Sequence, residues 1–245
     1  MLRERVKDIA RRRLSERTRR RLRRLTVWPP AGRVRFGSFR RTRPISSLYD
    51  WRRGQPIDRY YIERFLSAHA ADIHGAVLEI GDAQYTRCHG RDVTGIDVLH
   101  VDEGNPEATI VADLTDAPQV ASDSFDCVVC VQTLLLVYDL RAAIATLRRI
   151  LKPGGVVLAT FPGIARINRR EAEEWGDFWR FTAMSARRLF EEAFGEGRVE
   201  VETHGNVLAA ASALHGLAAE DLGARRLDPH DPDYEVLIGV RATSP

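Results

Sequence analysis

Three positions in this 245-residue chain have the residue types and spacing to hold a nucleoside. The apolar run AVLEI (76–80) passes directly into Gly81. A glycine just past a strand lets the backbone approach a ligand, because no Cβ stands in the way. About twenty residues on, VLHVD ends in Asp102, and a carboxylate at such a tip can accept hydrogen bonds from both ribose hydroxyls. TIVADL then places Asp113 and Leu114 after a third apolar run, where a short polar side chain and an apolar neighbour can bracket an adenine edge. Taken singly, each has a plainer reading: a turn glycine, a surface acid, a turn residue. Acid–base chemistry would fall to Tyr138, Asp139 or His100 near the strand tips, or to His204 later. Trp175, Phe178, Trp179, Arg180 and Phe181 form an aromatic and basic cluster. There a ring could stack on a sugar and Arg180 could pair with a phosphate, or Trp179 and Phe181 could simply pack a helix onto the sheet. Cys127 and Cys130 make a C-x-x-C string inside the apolar run FDCVVCVQ. Residues three apart on a strand point to opposite faces, and no second pair exists, so the spacing argues against a metal or redox site. Unpaired thiols imply a reducing, cytoplasmic setting.

These residues need a scaffold of strand tips. The runs AVLEI (76–80), DVLHV (97–101), ATIVA (108–112), FDCVVCV (125–131) and GVVLATF (155–161) are short, rich in Val and Ile, and bounded by Gly, Asp or Pro. Buried parallel strands have that form. Between the last two, Leu140, Ala143, Ile144, Leu147, Ile150 and Leu151 mark a helix that stops at Pro153 and two glycines. An earlier helix, DRYYIERFLSAHAADI, carries an apolar face of Tyr61, Phe65, Leu66 and Ile73. Strand, helix, strand in this rhythm predicts a parallel α/β sheet with helices on its faces, and ligands in such sheets bind at the carboxyl ends of strands near the switch point. After Phe161 come a helix SARRLFEEAFG with Ser185 as N-cap, a strand at 199–203, a small-residue helix from about Val207 to Leu222, and a last strand YEVLIGVRA (234–242).

Charge divides the chain. Residues 1–43 hold 17 Lys and Arg against 3 Asp and Glu, and the remainder 20 against 31. A basic arm (1–30) and an extended lead-in (31–57) therefore precede a mildly acidic domain (58–245). The arm reads first as a solvated extension or a docking segment, and second as a helix on an anionic membrane surface through residues 1–25. A nucleic-acid contact ranks last. No apolar run approaches the ~20 residues of a membrane-spanning helix, and no apolar segment follows the basic start as in a signal peptide.

In order, VLEIG, ADL, FDCVV and LKPGG resemble the serial motifs of class I S-adenosylmethionine (SAM)-dependent methyltransferases, over roughly Asp58 to Thr203. The resemblance implies a Rossmann-like doubly wound sheet, mostly parallel with an antiparallel last strand and helices on both faces. It implies SAM as cofactor. Glu79 and Gly81 would flank its methionine portion, Asp102 its ribose and Asp113 with Leu114 its adenine, while Gln132 faces the reacting centre. Plainer roles are a helix-dipole or salt-bridge partner for Glu79 and a helix cap for Gln132. Asp97 in VTGID competes with Asp102 for the ribose; the short spacing to Asp113 favours Asp102. Where the family reads G-x-G-x-G, this chain reads Gly81-Asp82-Ala83-Gln84-Tyr85. Side chains at 83 and 85 would crowd the cofactor unless the loop takes another path, and Asp82 would bond its positive charge or amino group. More narrowly, PIDRYYIERFL, GNP-ATIVADLTDAP and WRFT-SARRLFEEAFG are similar to bacterial methyltransferase-like proteins found with, or fused to, glycosyltransferases of surface-polysaccharide synthesis. That implies a small-molecule or saccharide acceptor and a glycosyltransferase partner. The rival reading is a catalytically weak methyltransferase-fold partner of such enzymes. A nicotinamide dehydrogenase is disfavoured, since no G-x-G-x-x-G follows the first strand.

Overall fold

The computed structural model describes residues 37–47 and 53–245. The basic arm, with its membrane, nucleic-acid and docking readings, lies outside the described residues, as do 31–36 and 48–52 of the lead-in. The chain divides into two units, residues 1–43 and 44–245. In the first, the described residues hold one 3₁₀ turn, Gly37–Phe39.

In the second unit, seven strands form one sheet in the order β3-β2-β1-β4-β5-β7-β6. β1 (Gly75–Ile80), β2 (Val93–His100), β3 (Ile110–Val111), β4 (Phe125–Val131) and β5 (Leu151–Pro162) pair in parallel. β7 (Leu237–Thr243) runs antiparallel between β5 and β6 (Val199–His204). The strand order turns outward in both directions from β1 and β4, so the switch point lies between their tips. This is the Rossmann-like, mostly parallel sheet that the alternation of elements required.

Alternate side chains feed two cores. Leu78, Val128, Cys130, Val157 and Ala159 face α3 (Leu140–Ile150) and α5 (Ala183–Phe194). Val77, Cys127, Val129 and Leu158 face α1 (Ile57–Ala68) and α6 (Val207–Leu214). Cys127 and Cys130 thus lie on opposite faces of β4, both fully buried, as the period of two demands. Burial pushes both thiols up, Cys130 to about 12. On α3, Leu140, Ile144, Leu147 and Ile150 fall on one buried stripe, each stabilising by roughly 1.5–3 kcal/mol. Asp139 caps that helix by accepting from the Ala142 amide.

Several boundaries differ from the sequence reading. α3 ends at Ile150, and LKPGG belongs to β5, where the register with β4 shifts. Lys152 precedes a proline, which disfavours helical backbone there. Ser185 is not the N-cap of α5. Thr182 is, and Ser185 closes a reciprocal capping box from the third helical position. The helix expected over Val207–Leu222 breaks at Gly216 (φ +69°) into α6, α7 (Ala219–Leu222) and the following α8 (Ala224–Leu227). Three short helices were not foreseen, α2 (Gln84–His89), α4 (Arg169–Glu174) and α8, which lies beyond Leu222. Among the described residues no helix is long and apolar enough to cross a membrane.

Candidate functional site

The carboxyl ends of β1, β2, β3 and β4 open onto two adjoining cavities. One, of about 660 Å³, is walled by Gly81, His100, Asp113, Leu114, Tyr138 and Trp175 among others. The second, of about 390 Å³, takes in Arg59, Glu79, Asp82, Gln132, Glu171 and Asp177. Ile80, Gly81, Thr133, Leu136 and Trp175 belong to both walls, so the two form one bent crevice.

Gly81 sits at the bend. Its φ of +95° is a conformation that side chains disfavour, and a Cβ built there would meet nothing within 4 Å. Its N–H donates to the Leu99 carbonyl (3.0 Å), and its own carbonyl accepts from the Asn105 side chain. The backbone is therefore fixed beside open space. Of positions 83 and 85, expected to crowd the cofactor, Ala83 lines neither cavity and Tyr85 lines only the smaller one. Ala83 is buried, and the Tyr85 ring packs into the core beneath α1, its hydroxyl accepting from Arg59. The loop turns early because the Asp82 carboxylate accepts from the Gln84 amide (2.8 Å), after which α2 begins. Asp82 itself is exposed and lines the smaller cavity.

Glu79 is only 1 % exposed, and its carboxylate accepts from the amides of Tyr85 (3.0 Å) and Thr86 (2.7 Å). It pins the first turn of α2, the helix-terminus role weighed from sequence, and its carboxyl also borders the cavity. Burial raises its proton affinity above the usual carboxylate value, against the pull of the two donors.

The ribose assignment is where the geometry departs most from expectation. β2 ends at His100, and Asp102 lies two residues beyond, in a turn. Its side chain is half exposed, accepts from the Gly104 amide (2.8 Å), and is not part of the cavity wall. Asp97, the competitor, lies mid-strand and accepts from the Thr109 hydroxyl (2.7 Å). The residue presented at the tip is His100. Its Nδ1 lies 3.1 Å from the Asp102 carbonyl oxygen and 3.3 Å from the Asp102 carboxylate, and its ring meets Trp175 edge-on at 6.0 Å.

Asp113 and Leu114 both line the larger cavity, Leu114 buried and Asp113 exposed with one oxygen accepting from the Thr115 amide (2.8 Å). Gln132 holds a positive φ of 51°, rare for a side-chain-bearing residue. Its backbone N–H donates to Thr160, while its side-chain Nε2 is buried with no hydrogen-bond partner. A strained residue with an orphaned amide at a strand tip is what a ligand-facing position looks like.

The aromatic and basic cluster divides. Phe181 packs on Phe161 (4.6 Å between centroids), and the Trp179 indole donates to the Val137 carbonyl (3.0 Å), so both serve packing. Arg180 is not poised for a phosphate. Its guanidinium pairs with Asp177 and donates to the Ala165, Arg166 and Trp179 carbonyls, clamping the segment after β5. That pairing holds the Asp177 carboxyl below its usual range. Trp175, more than a third exposed, is the member that faces both cavities. Of the candidate bases, His204 stacks on Tyr61 (5.7 Å) outside both cavities. Tyr138 and Asp139 line the larger one, Asp139 already spent on its helix cap.

Sequence reasoning missed Glu171 on α4 and Arg59 on α1, both in the wall of the smaller cavity. Burial raises the proton affinity of Glu171, with Arg59 opposing and Asp177 and Asp58 adding to it. The acidic run RREAEE, just past a strand tip and before the aromatic cluster, was the available signal.

Residues 74–159, about a third of the chain, match the family model described as a methyltransferase domain. The matched segment contains Glu79, Gly81, His100, Asp113, Leu114 and Gln132. A SAM-dependent methyltransferase from Archaeoglobus fulgidus is similar in structure with a TM-score of 0.51 at 11% identity, covering 78% of this chain and 96% of the other. One from Thermotoga maritima gives 0.50 at 18% identity, covering 77% and 92%. No curated protein matches the sequence. At these identities the likeness shows the fold. Residues 74–159 thus resemble a methyltransferase domain, and the sheet around them has the Rossmann-like architecture of those two structures.

Proposed function

We propose that the chain is a SAM-dependent methyltransferase that methylates a hydroxyl oxygen of a sugar or a polysaccharide or glycolipid intermediate. The observation that carries this reading is the bent crevice. A nucleoside-sized cavity with an apolar wall meets, at Gly81 and beneath Trp175, a second cavity whose wall is rich in carboxylates, amides and guanidinium groups. An aromatic or lipid acceptor would leave the buried Gln132 amide without a partner at a cost of about 1–3 kcal/mol, whereas a sugar hydroxyl can accept from it.

The chain's residues fit the cofactor at three points. Gly81 offers fixed backbone beside open space, Asp113 and Leu114 would flank a base edge, and the orphaned Gln132 amide supplies a donor in the wall of the smaller cavity. When bound, SAM supplies an electrophilic methyl group on a sulfonium sulfur. Gln132 then orients the acceptor oxygen, and Trp175 covers the junction and excludes water. Glu171 takes the hydroxyl proton, its proton affinity raised above the usual carboxylate value by burial. Expectation of a glycosyltransferase partner rests on resemblance to proteins of polysaccharide synthesis.

Isothermal titration with S-adenosylhomocysteine and with SAM tests the first half of the reading, and one site per chain is expected. No heat and no thermal shift with either ligand would overturn it in favour of a non-catalytic partner. Incubation with SAM and a panel of nucleotide sugars and methyl glycosides, followed by mass spectrometry, tests the acceptor. A methyl gain on a sugar hydroxyl supports it, and a gain confined to amine acceptors refutes it.

A further inference from the structure

The tip of β2 carries a histidine held by the acid two residues beyond it. We infer that His100, positioned by Asp102, bonds the ribose hydroxyls of the nucleoside, so that the acid acts through an imidazole and makes no contact of its own. The inference rests on the cofactor reading above.

The geometry supports the division of roles. His100 lines the larger cavity, and Asp102 does not. Nδ1 is occupied by Asp102, which offers its amide N–H (3.3 Å), its carbonyl oxygen (3.1 Å) and its carboxylate (3.3 Å). Among the described residues nothing bonds Nε2. The Asp102 side chain is itself held by the Gly104 amide (2.8 Å), and the face of the imidazole is fixed by the edge-on Trp175 ring. Both tautomers work. If Nδ1 accepts from the Asp102 amide, Nε2–H donates to a ribose oxygen. Should Nδ1–H donate to Asp102, Nε2 accepts from a ribose hydroxyl, and a hydroxyl can play either part. Asp113, two residues past β3, stands in the same wall, so the base and the sugar are read from neighbouring strands.

A ligand-deletion cycle tests this. S-adenosylhomocysteine and its 2′,3′-dideoxy analogue are titrated calorimetrically into the wild type, His100→Phe and Asp102→Ala. Phenylalanine keeps a ring against Trp175 and removes the nitrogen. Expected is a wild-type preference for the hydroxylated ligand that shrinks by about 2- to 12-fold in His100→Phe, the worth of one neutral hydrogen bond. In Asp102→Ala the preference should shrink by a smaller factor, with binding of the dideoxy analogue unchanged. Equal losses for both ligands in His100→Phe, or an undiminished preference, would overturn the inference. Nitrogen-15 NMR of the wild type adds a readout that does not depend on how either variant folds. The His100 Nε2 resonance should move with S-adenosylhomocysteine and stay put with the dideoxy analogue, and equal movement with both refutes the contact. Failure of wild type to bind either ligand would instead remove the cofactor reading itself.

Discussion

Truncating Glu79 to alanine isolates what holds the wall of the crevice. The carboxylate is buried and accepts from two backbone amides, those of Tyr85 and Thr86, at 3.0 and 2.7 Å. Both amides belong to the first turn of α2 and have no intrahelical acceptor. Leaving a buried donor unsatisfied costs about 1–3 kcal/mol, so two would cost about 2–6. Glu79 borders the smaller cavity, and water entering there can offset part of that cost. The expected loss is therefore about 2–4 kcal/mol. Glutamine keeps one acceptor oxygen and sheds a charge whose burial is already unfavourable, so Glu79→Gln should lose only about 1 kcal/mol. Urea denaturation at neutral pH measures both, and at ordinary slopes the alanine midpoint should fall by about 1 M or more. Hydrogen exchange at the Tyr85 and Thr86 amides should accelerate in step. An alanine variant within about 0.5 kcal/mol of wild type, or one more stable than the glutamine variant, would refute the pinning role.

Two further outcomes follow from the same geometry. Gly81→Ala should cost about 1–3 kcal/mol of stability through its φ of +95°, with no internal clash, yet weaken S-adenosylhomocysteine binding more than tenfold as the methyl enters the crevice; equal affinity would show that the ligand keeps clear of this glycine. At the far end of the sheet, Glu202 bonds His69 (2.8 Å), which raises the His69 proton affinity above its ordinary 6.5 and depresses that of Glu202 below 4.5. The nearby Asp72, bonded by Arg241, is also depressed, below 3.8. The His69 contribution is complete below 6.5 and fades as pH climbs through its raised value; the carboxylate contributions are complete above about 4.5 and fade on acidification. Melting temperature should peak between those limits, and Glu202→Gln should flatten the curve on both sides; an unchanged profile in that variant would show that the pair does not couple to folding.

The scaffold was legible where burial and pattern coincide. FDCVVCV is buried along nearly its whole length, and β4 spans those same residues. β2 was read too short at its start because Thr94, Gly95 and Ile96 are exposed, leaving no apolar run to see. α2 escaped notice because six residues with one large apolar side chain carry no period. The helix expected to extend to Leu222 failed at Gly216, whose left-handed backbone ends a turn, a conformation that composition alone does not reveal. In the site, Gly81 and Gln132 stand in the crevice wall directly after β1 and β4, and Asp113 and Leu114 stand there two and three residues past β3. Asp102, also two residues past its strand, stays outside that wall, its carboxylate held by the Gly104 amide. Which polar residue just past a strand faces the crevice is set by the turn's own hydrogen bonds, which spacing alone does not reveal. Arg180 was misjudged for another reason. Its partner Asp177 lies three positions away, but the three carbonyls that complete the clamp come from backbone, about which residue types say nothing.

The reversed course of β7 has a practical bearing. Thr243 pairs with Val156 and Leu237 with Pro162, so the strand starts level with the crevice and finishes at the opposite rim of the sheet. A tag or sensor-chip anchor joined beyond Thr243 therefore leaves the entrance facing bulk solution, and immobilised protein should take up ligand as readily as free protein does.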